Sequence, residues 1–118
     1  MTPEFQSDGV FDVYKMLDAI RRRPGMYIGE PSLTKLWLYL HGYSSALSDD
    51  DIPQRKVDFH DGIKFDAWIR KHLSLPYNSE GWANNILNSC DRDEAKALAK
   101  FFELLDEFRR QEQEDASR

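Results

Sequence analysis

The chain has 118 residues, of which 41% are hydrophobic and 31% are charged, and its net charge is −5. This length suits one domain with its own core, and the apolar content excludes an intrinsically disordered chain. A single cysteine excludes an intramolecular disulfide, which suits the reducing cytoplasm. No apolar run approaches the roughly 20 residues that span a bilayer. We therefore expect a soluble cytoplasmic protein.

The first predicted helix runs from about Asp8 to Arg22. Apolar residues recur along it at spacings of three and four, which places them on one helical face. The Pro24-Gly25 pair ends this helix, because proline disfavours the helical conformation in the residue before it and glycine permits a sharp turn. Residues 26–28 are expected to pack back onto the core.

Two further helices are predicted in the middle of the chain. One begins at Pro31 and carries an apolar stripe as far as Leu47, and the next begins at Asp61 and ends before the break at residues 74–76. The intervening segment contains three consecutive aspartates, whose mutual repulsion favours a loop. Only residues 56–59 alternate apolar and polar side chains, which indicates an extended segment.

The last two helices are predicted from their capping residues. Ser79 can cap a short helix over residues 80–90, which has its apolar residues on one face. Asp91, with Glu94 three residues later, forms a capping-box-like start for a fifth helix that reaches Phe108. This fifth helix has the strongest apolar face in the chain.

The fold class follows from these elements. Five helices with short connectors predict an all-α fold, a single-domain bundle over residues 1–108. Residues 109–118 contain no large apolar side chain, so the fifth helix is expected to fray there into a polar C-terminal tail. The sequence contains no internal repeat, which argues against a solenoid.

Residues 17–29 end in the string Arg-Pro-Gly-Met-Tyr-Ile-Gly, which resembles the N-terminal segment of the gyrase and topoisomerase ATPase domain. In that family the next helix carries a glutamate that acts as general base and an asparagine that binds magnesium. Here residues 36–47 contain no acidic residue and no asparagine, and no glycine-rich Asp-x-Gly-x-Gly motif follows. We therefore expect the string to be a structural turn, and nucleotide binding by the turn stays open as an alternative.

A second resemblance covers nearly the whole chain. The order of its motifs is similar to that of a family of small uncharacterised bacterial proteins, some of which accompany polymorphic toxin systems as immunity proteins. This resemblance implies a protein that binds and inhibits a toxin. The motifs are the Arg23–Gly29 string, Ser32-Leu33-x-x-Leu36, Gly42-Tyr43, Phe65-x-x-Trp68, Gly81-Trp82-Ala83-Asn84-x-Ile86-Leu87 and residues 101–108.

The residues that usually carry catalysis are scattered. His41, His60 and His72 have no second histidine or cysteine at a metal-ligand spacing, so neither a zinc site nor any other cofactor is expected. Cys90 has no basic residue flanking it and is expected to be an inert thiol. The only basic cluster is Arg21–Arg23 in an acidic chain, which argues against nucleic-acid binding. We expect a protein that is not an enzyme.

The acidic residues are unevenly distributed. Residues 1–47 carry five acidic and five basic residues, whereas residues 48–118 carry sixteen acidic and eleven basic ones. Such a surface suits a basic partner, such as the substrate cleft of a nuclease toxin, and it is also compatible with ordinary solubilising charge. A cytoplasmic adaptor or regulatory domain would have the same composition and remains an alternative.

The candidate partner-binding residues fall into two groups. The first is acidic and lies where a loop is expected, because a loop can enter a cleft that a helix face cannot. The second is an aromatic and amide edge on the fourth helix, although a tryptophan there is also a plausible core residue. The predicted site consists of Asp49, Asp50, Asp51, Asp58, Asp61, Trp82, Asn84 and Asn85.

Overall fold

Helices make up most of the chain that the structure, a computed structural model, describes: residues 6–7, 10–48, 55–56 and 63–116. The fold is all-α, as predicted, a bundle of helices with short connectors. The helices are α1 (Val13–Arg22), α2 (Pro24–Tyr27), α3 (Leu33–Ser48), α4 (Ile63–His72), α5 (Trp82–Ser89) and α6 (Glu94–Ala116).

Three very short strands accompany the helices. They are β1 (Gln6–Ser7), β2 (Val10–Asp12) and β3 (Arg55–Lys56), in the order β1-β2-β3. β1 and β2 pair antiparallel, and β2 and β3 pair parallel with Phe11 opposite Arg55. Because β2 occupies residues 10–12, the predicted start of the first helix at Asp8 is wrong and α1 begins at Val13.

The C-terminal helix is longer than predicted. α6 continues past Phe108 to Ala116, so the expected fraying at residues 109–118 is wrong for most of that segment. Polar contacts to other helices hold this part: the Trp68 indole N–H donates to Gln111 Oε1 at 2.7 Å, and the Arg109 guanidinium lies 4.2 Å from the centre of the Tyr14 ring. A pattern of apolar residues could not reveal contacts of this kind.

Aromatic side chains join α4, α5 and α6 at the centre of the core. Phe65 is fully buried, and its ring lies edge-on to those of Trp82, Phe101 and Phe108 at centroid distances of 5.5, 6.1 and 5.0 Å. Trp82 stacks on Phe101 at 5.0 Å. Edge-on and offset aromatic pairs add about 0.5–1.5 kcal/mol beyond the area that they bury. This cluster therefore fixes the mutual positions of the last three helices.

The start of α3 is held by a residue from another helix. The Ser32 hydroxyl accepts the N–H of Lys35 at 3.2 Å, as an N-cap does, and donates to Glu94 Oε1 at 3.0 Å. The same carboxylate oxygen accepts the Thr34 N–H at 2.9 Å, and Glu94 Oε2 accepts the Thr34 hydroxyl at 2.7 Å. Glu94, the first residue of α6, thus ties the beginnings of α3 and α6 together.

These bonds determine the ionisation of Glu94. Burial is the largest single influence and opposes ionisation, but the bonds from Thr34 and Ser32, together with the nearby Arg92, outweigh it and lower the pKa of Glu94 below its ordinary value of 4.5. A carboxyl whose pKa is lower in the folded chain stabilises the fold above the unfolded-state pKa, and this stabilisation is lost as the pH falls through the folded-state pKa.

We expect Glu94→Gln to lower the free energy of unfolding by about 0.3–1 kcal/mol near neutral pH, the range for a carboxylate at an exposed helix N-terminus. The difference from the unsubstituted protein should shrink as the pH falls below 4.5 and Glu94 becomes protonated. Urea denaturation at several pH values measures it, with Glu103→Gln on the exposed side of α6 as the control. A difference that does not change with pH would contradict the role of the charge.

Phe65→Ala should lower the free energy of unfolding by about 3–5 kcal/mol, because it removes the ring that α5 and α6 both contact and leaves a cavity. Leu75→Ala is the control: this leucine is 38% exposed, and we expect a change of about 0.5 kcal/mol or less. Chemical denaturation monitored by tryptophan fluorescence measures both. Equal effects of the two substitutions would show that the aromatic cluster is not the centre of the core.

Candidate functional site

An apolar groove of about 160 Å³ lies between α3 and α5. Its walls come from two helices: Leu33, Trp37 and Leu38 from α3 and Ala83 and Leu87 from α5. The polar residues that line it are Thr34, Glu80 and Asn84. Concave surfaces with mostly apolar walls and a few polar groups are the usual form of binding sites, so this groove is the candidate functional site.

The α3 wall exposes apolar surface that the core does not use. Leu36 and Leu40 are buried, whereas Leu38, between them in the sequence, is 56% exposed. Trp37 is half-buried, and its ring lies beside that of His41 with centroids 3.9 Å apart. Tryptophan and other aromatic residues are enriched at protein-binding surfaces.

The rim of the groove is polar and well fixed. Glu80 is the only charged residue among those that line it. Its Oε2 accepts the Asn88 amide at 3.2 Å, its backbone N–H donates to Asn78 Oδ1 at 3.1 Å, and its backbone carbonyl accepts the Asn84 amide at 3.2 Å. The groove therefore presents one negative charge, in a fixed position, beside an apolar surface.

The structure separates the three predicted site residues of the fourth helix. Asn84 is exposed and lines the groove. Trp82 and Asn85 are only 5% and 3% exposed, so they do not form the predicted contact edge. Trp82 packs in the aromatic core, and the Asn85 amide donates to Asn78 Oδ1 at 3.2 Å.

The other predicted site residues are the five aspartates of the acidic group. Asp49, Asp50, Asp51, Asp58 and Asp61 lie outside the residues that the structure describes.

The sequence analysis did not identify three residues of the groove: Trp37, Leu38 and Glu80. A signal was present for the first two, since residues 36–40 are five consecutive apolar or aromatic residues, more than one buried face of a helix can accommodate.

The end of α1, just before the Arg-Pro-Gly-Met-Tyr-Ile-Gly string, has a structural role. Arg21, two residues before the string, donates to both carboxylate oxygens of Asp106 at 3.0 and 2.9 Å, and its guanidinium lies 5.2 Å from the centre of the Phe102 ring. These contacts tie the end of α1 to α6. Both bonds come from Nη1, and the ion pair is exposed, so the charge attraction contributes little and the contact with the Phe102 ring adds to it.

The string itself forms the short helix α2 rather than a simple turn. Ile28 is buried and Tyr27 is half-buried, with its ring edge-on to Tyr39 at 6.4 Å, which agrees with their expected packing. Met26 is 67% exposed, so the expectation that it packs on the core is wrong. Gly29 has a φ of +86°, a conformation that favours glycine and lets the chain turn from α2 toward α3.

The described residues were compared with the arrangements that hold metal ions and span membranes. Within that part of the chain, no group of three histidine, cysteine or acidic side chains is arranged to hold a metal ion. No helix there is both long enough and apolar enough to cross a membrane. Cys90 is half-buried, with its sulfur 3.8 Å from the Ser89 hydroxyl.

Comparisons with known proteins returned no relative: no protein-family model, no curated protein and no solved structure matches this chain. An argument about function therefore rests on the geometry and chemistry of the groove. Its most informative features are the exposed apolar surface of α3 and the single carboxylate at the rim.

The exposed leucine of the groove should be dispensable for folding. We expect Leu38→Ala to change the free energy of unfolding by about 0.5 kcal/mol or less, because the side chain is largely in water already. Leu36→Ala, two residues earlier and fully buried, should cost about 2–5 kcal/mol. Chemical denaturation compares the two. A large loss in Leu38→Ala would mean that this residue serves the core and not the surface.

Proposed function

We propose that this chain is a non-enzymatic binding protein, an immunity protein that neutralises a cognate bacterial toxin, such as a nuclease, by occluding its active cleft. The observation that carries the proposal is the apolar groove between α3 and α5, with exposed Leu38 on its wall and Glu80 at its rim. The sequence resemblance to toxin-system immunity proteins supplies the class of partner.

The groove suits a protein partner. Its walls are aliphatic and aromatic, and exposing Leu38 and Trp37 to water has a cost that contact with a partner would remove. Its volume of about 160 Å³ accommodates a single large side chain and is too small for a nucleotide. A protruding apolar side chain of the partner is therefore the occupant that we assign to it.

The charge at the rim specifies the occupant further. Glu80 is the only charge among the groove-lining residues, and the whole chain has a net charge of −5. A partner segment with a lysine or arginine next to the apolar side chain would place opposite charges together. Toxins that cleave nucleic acids carry such basic residues at their active cleft, because they must bind phosphates. One bound segment would then block the substrate.

The proposal is tested by co-expressing this protein with the product of the gene adjacent to its own. We expect the host to be rescued from a toxic neighbour and the two chains to copurify through a tag on this one. Leu38→Asp and Glu80→Lys should each weaken the complex at least tenfold, about 1.4 kcal/mol, and reduce rescue. Reversing the charges of Asp49, Asp50 and Asp51 tests the predicted acidic loop in the same assay.

Matched substitutions outside the groove provide the controls. Leu75→Asp introduces the same change at an exposed leucine of the connector, and Glu103→Lys introduces it on the exposed side of α6. Both should leave the complex intact. A stable complex with a harmless neighbour would instead indicate an adaptor. The absence of any complex, or equal weakening by the controls, would contradict the proposal.

A further inference from the structure

The corner between α1 and α2 exposes a large apolar side chain. Met26 is 67% exposed, whereas the next two residues, Tyr27 and Ile28, are half-buried and buried. The Met26 N–H donates to the carbonyl of Arg23 at 3.0 Å, which puts these two residues on one tight turn. The flexible, unbranched side chain of methionine fits irregular apolar surfaces and is common where proteins bind one another.

Arg23 supplies a positive charge beside this methionine. Residues three apart on a helical turn are neighbours on its surface. The Arg23 side chain is exposed and makes no hydrogen bond or ion pair with the described residues, whereas Arg21 is held by Asp106. The corner therefore presents a protruding apolar side chain next to an unpaired guanidinium.

The groove between α3 and α5 has the complementary chemistry. Its volume of about 160 Å³ admits one large side chain, and the indole of Trp37 in its wall is a favourable neighbour for a methionine sulfur. Glu80 at the rim is exposed, and no cation among the described residues is paired with it. Its Oε2 accepts the Asn88 amide, which leaves Oε1 for a further donor.

Two other exposed apolar side chains suit the groove less well. Tyr77 is 83% exposed, but the apolar walls would bury its phenol, and the Arg70 guanidinium lies 4.9 Å from the centre of its ring. Leu75 is only 38% exposed, so it protrudes less than Met26. Of the exposed apolar residues outside the groove, Met26 is therefore the best fit to it.

The charge distribution favours the same contact between two copies of the chain. Residues 13–35 carry five basic and two acidic residues, whereas residues 76–116 carry five basic and ten acidic ones. The Met26 corner belongs to the basic part and Glu80 to the acidic part. Docking the basic part of one copy on the acidic part of another brings opposite charges together.

We propose that, in the absence of another partner, the groove of one copy binds Met26 of a second copy, whose Arg23 pairs with Glu80. The two contacting surfaces differ, so the contact is head-to-tail and can be repeated by each copy. This self-association covers the exposed apolar surface of Trp37 and Leu38. It involves the chain alone and does not depend on the existence of a toxin, although a toxin segment would compete for the same groove.

Sedimentation velocity of the full chain at increasing concentration tests the proposal. We expect the average mass to rise above that of one chain as the concentration approaches the millimolar range. Met26→Asp and Leu38→Asp should each weaken the association at least tenfold, because each puts a charge in the apolar contact. A chain that stays monomeric at every concentration overturns the proposal.

The same substitution at the other exposed apolar residues provides the controls. Leu75→Asp and Tyr77→Asp should leave the association unchanged. If Tyr77→Asp weakens it as much as Met26→Asp does, the assignment of Met26 is overturned.

A mixture of two variants tests whether the two surfaces bind each other. Met26→Asp retains the groove and Leu38→Asp retains the methionine, so an equimolar mixture should form a heterodimer although neither variant associates alone. Recovery in the mixture would also show that both variants are folded. If the mixture associates no more than its components, Met26 does not bind the groove and the proposal is overturned.

Charge reversal tests the ion pair. Arg23→Glu and Glu80→Arg each bring like charges together and should weaken the association at least tenfold, whereas the two combined in one chain should restore it. Lys71→Glu and Glu103→Arg make the same charge changes at exposed positions of α4 and α6 and should have no effect. A double variant that stays as weak as the single ones would overturn the pairing.

Discussion

The packing of α4, α5 and α6 around the buried ring of Phe65 is the constraint on which the rest of the structure depends. α4 and α5 have ten and eight residues, which is too short for helices that are stable in isolation. They persist because Phe65 and Trp82 pack against Phe101 and Phe108 of the long helix α6. The groove has α5 as one of its walls, so it depends on this core.

Hydrogen bonds between Glu94 and the start of α3 fix the position of α3, which forms the other wall of the groove. Thr34 donates to the Glu94 carboxylate and also lines the groove, so the residue that anchors α3 to α6 is itself part of the surface. The hydrogen bonds that this carboxylate accepts lower its pKa, so its charged form is the one that the contact favours. The register of α3 against α5 is thus set by a polar contact and not by the core alone.

The connector between α4 and α5 positions the rim of the apolar groove. Asn78 accepts bonds from the Glu80 backbone and the Asn85 side chain, which places Glu80 at that rim. The groove offers an apolar surface with one charge, which suits a protein side chain.

The sequence by itself determined the fold class and the approximate position of each of the five longer helices, because apolar spacing is a local property. The predicted caps Ser79 and Asp91 are wrong, since Gly81 precedes α5 and Asp93 accepts the Lys96 N–H at the start of α6. The sequence could not determine that α6 continues to Ala116, since contacts from Trp68 and Tyr14 hold that end. It identified Asn84 but missed Trp37, Leu38 and Glu80. Trp82 and Leu38 are both large apolar residues on predicted helices, so the sequence does not show which of them is buried. The packing of α3 and α5 on α6 buries Trp82 and leaves Leu38 exposed.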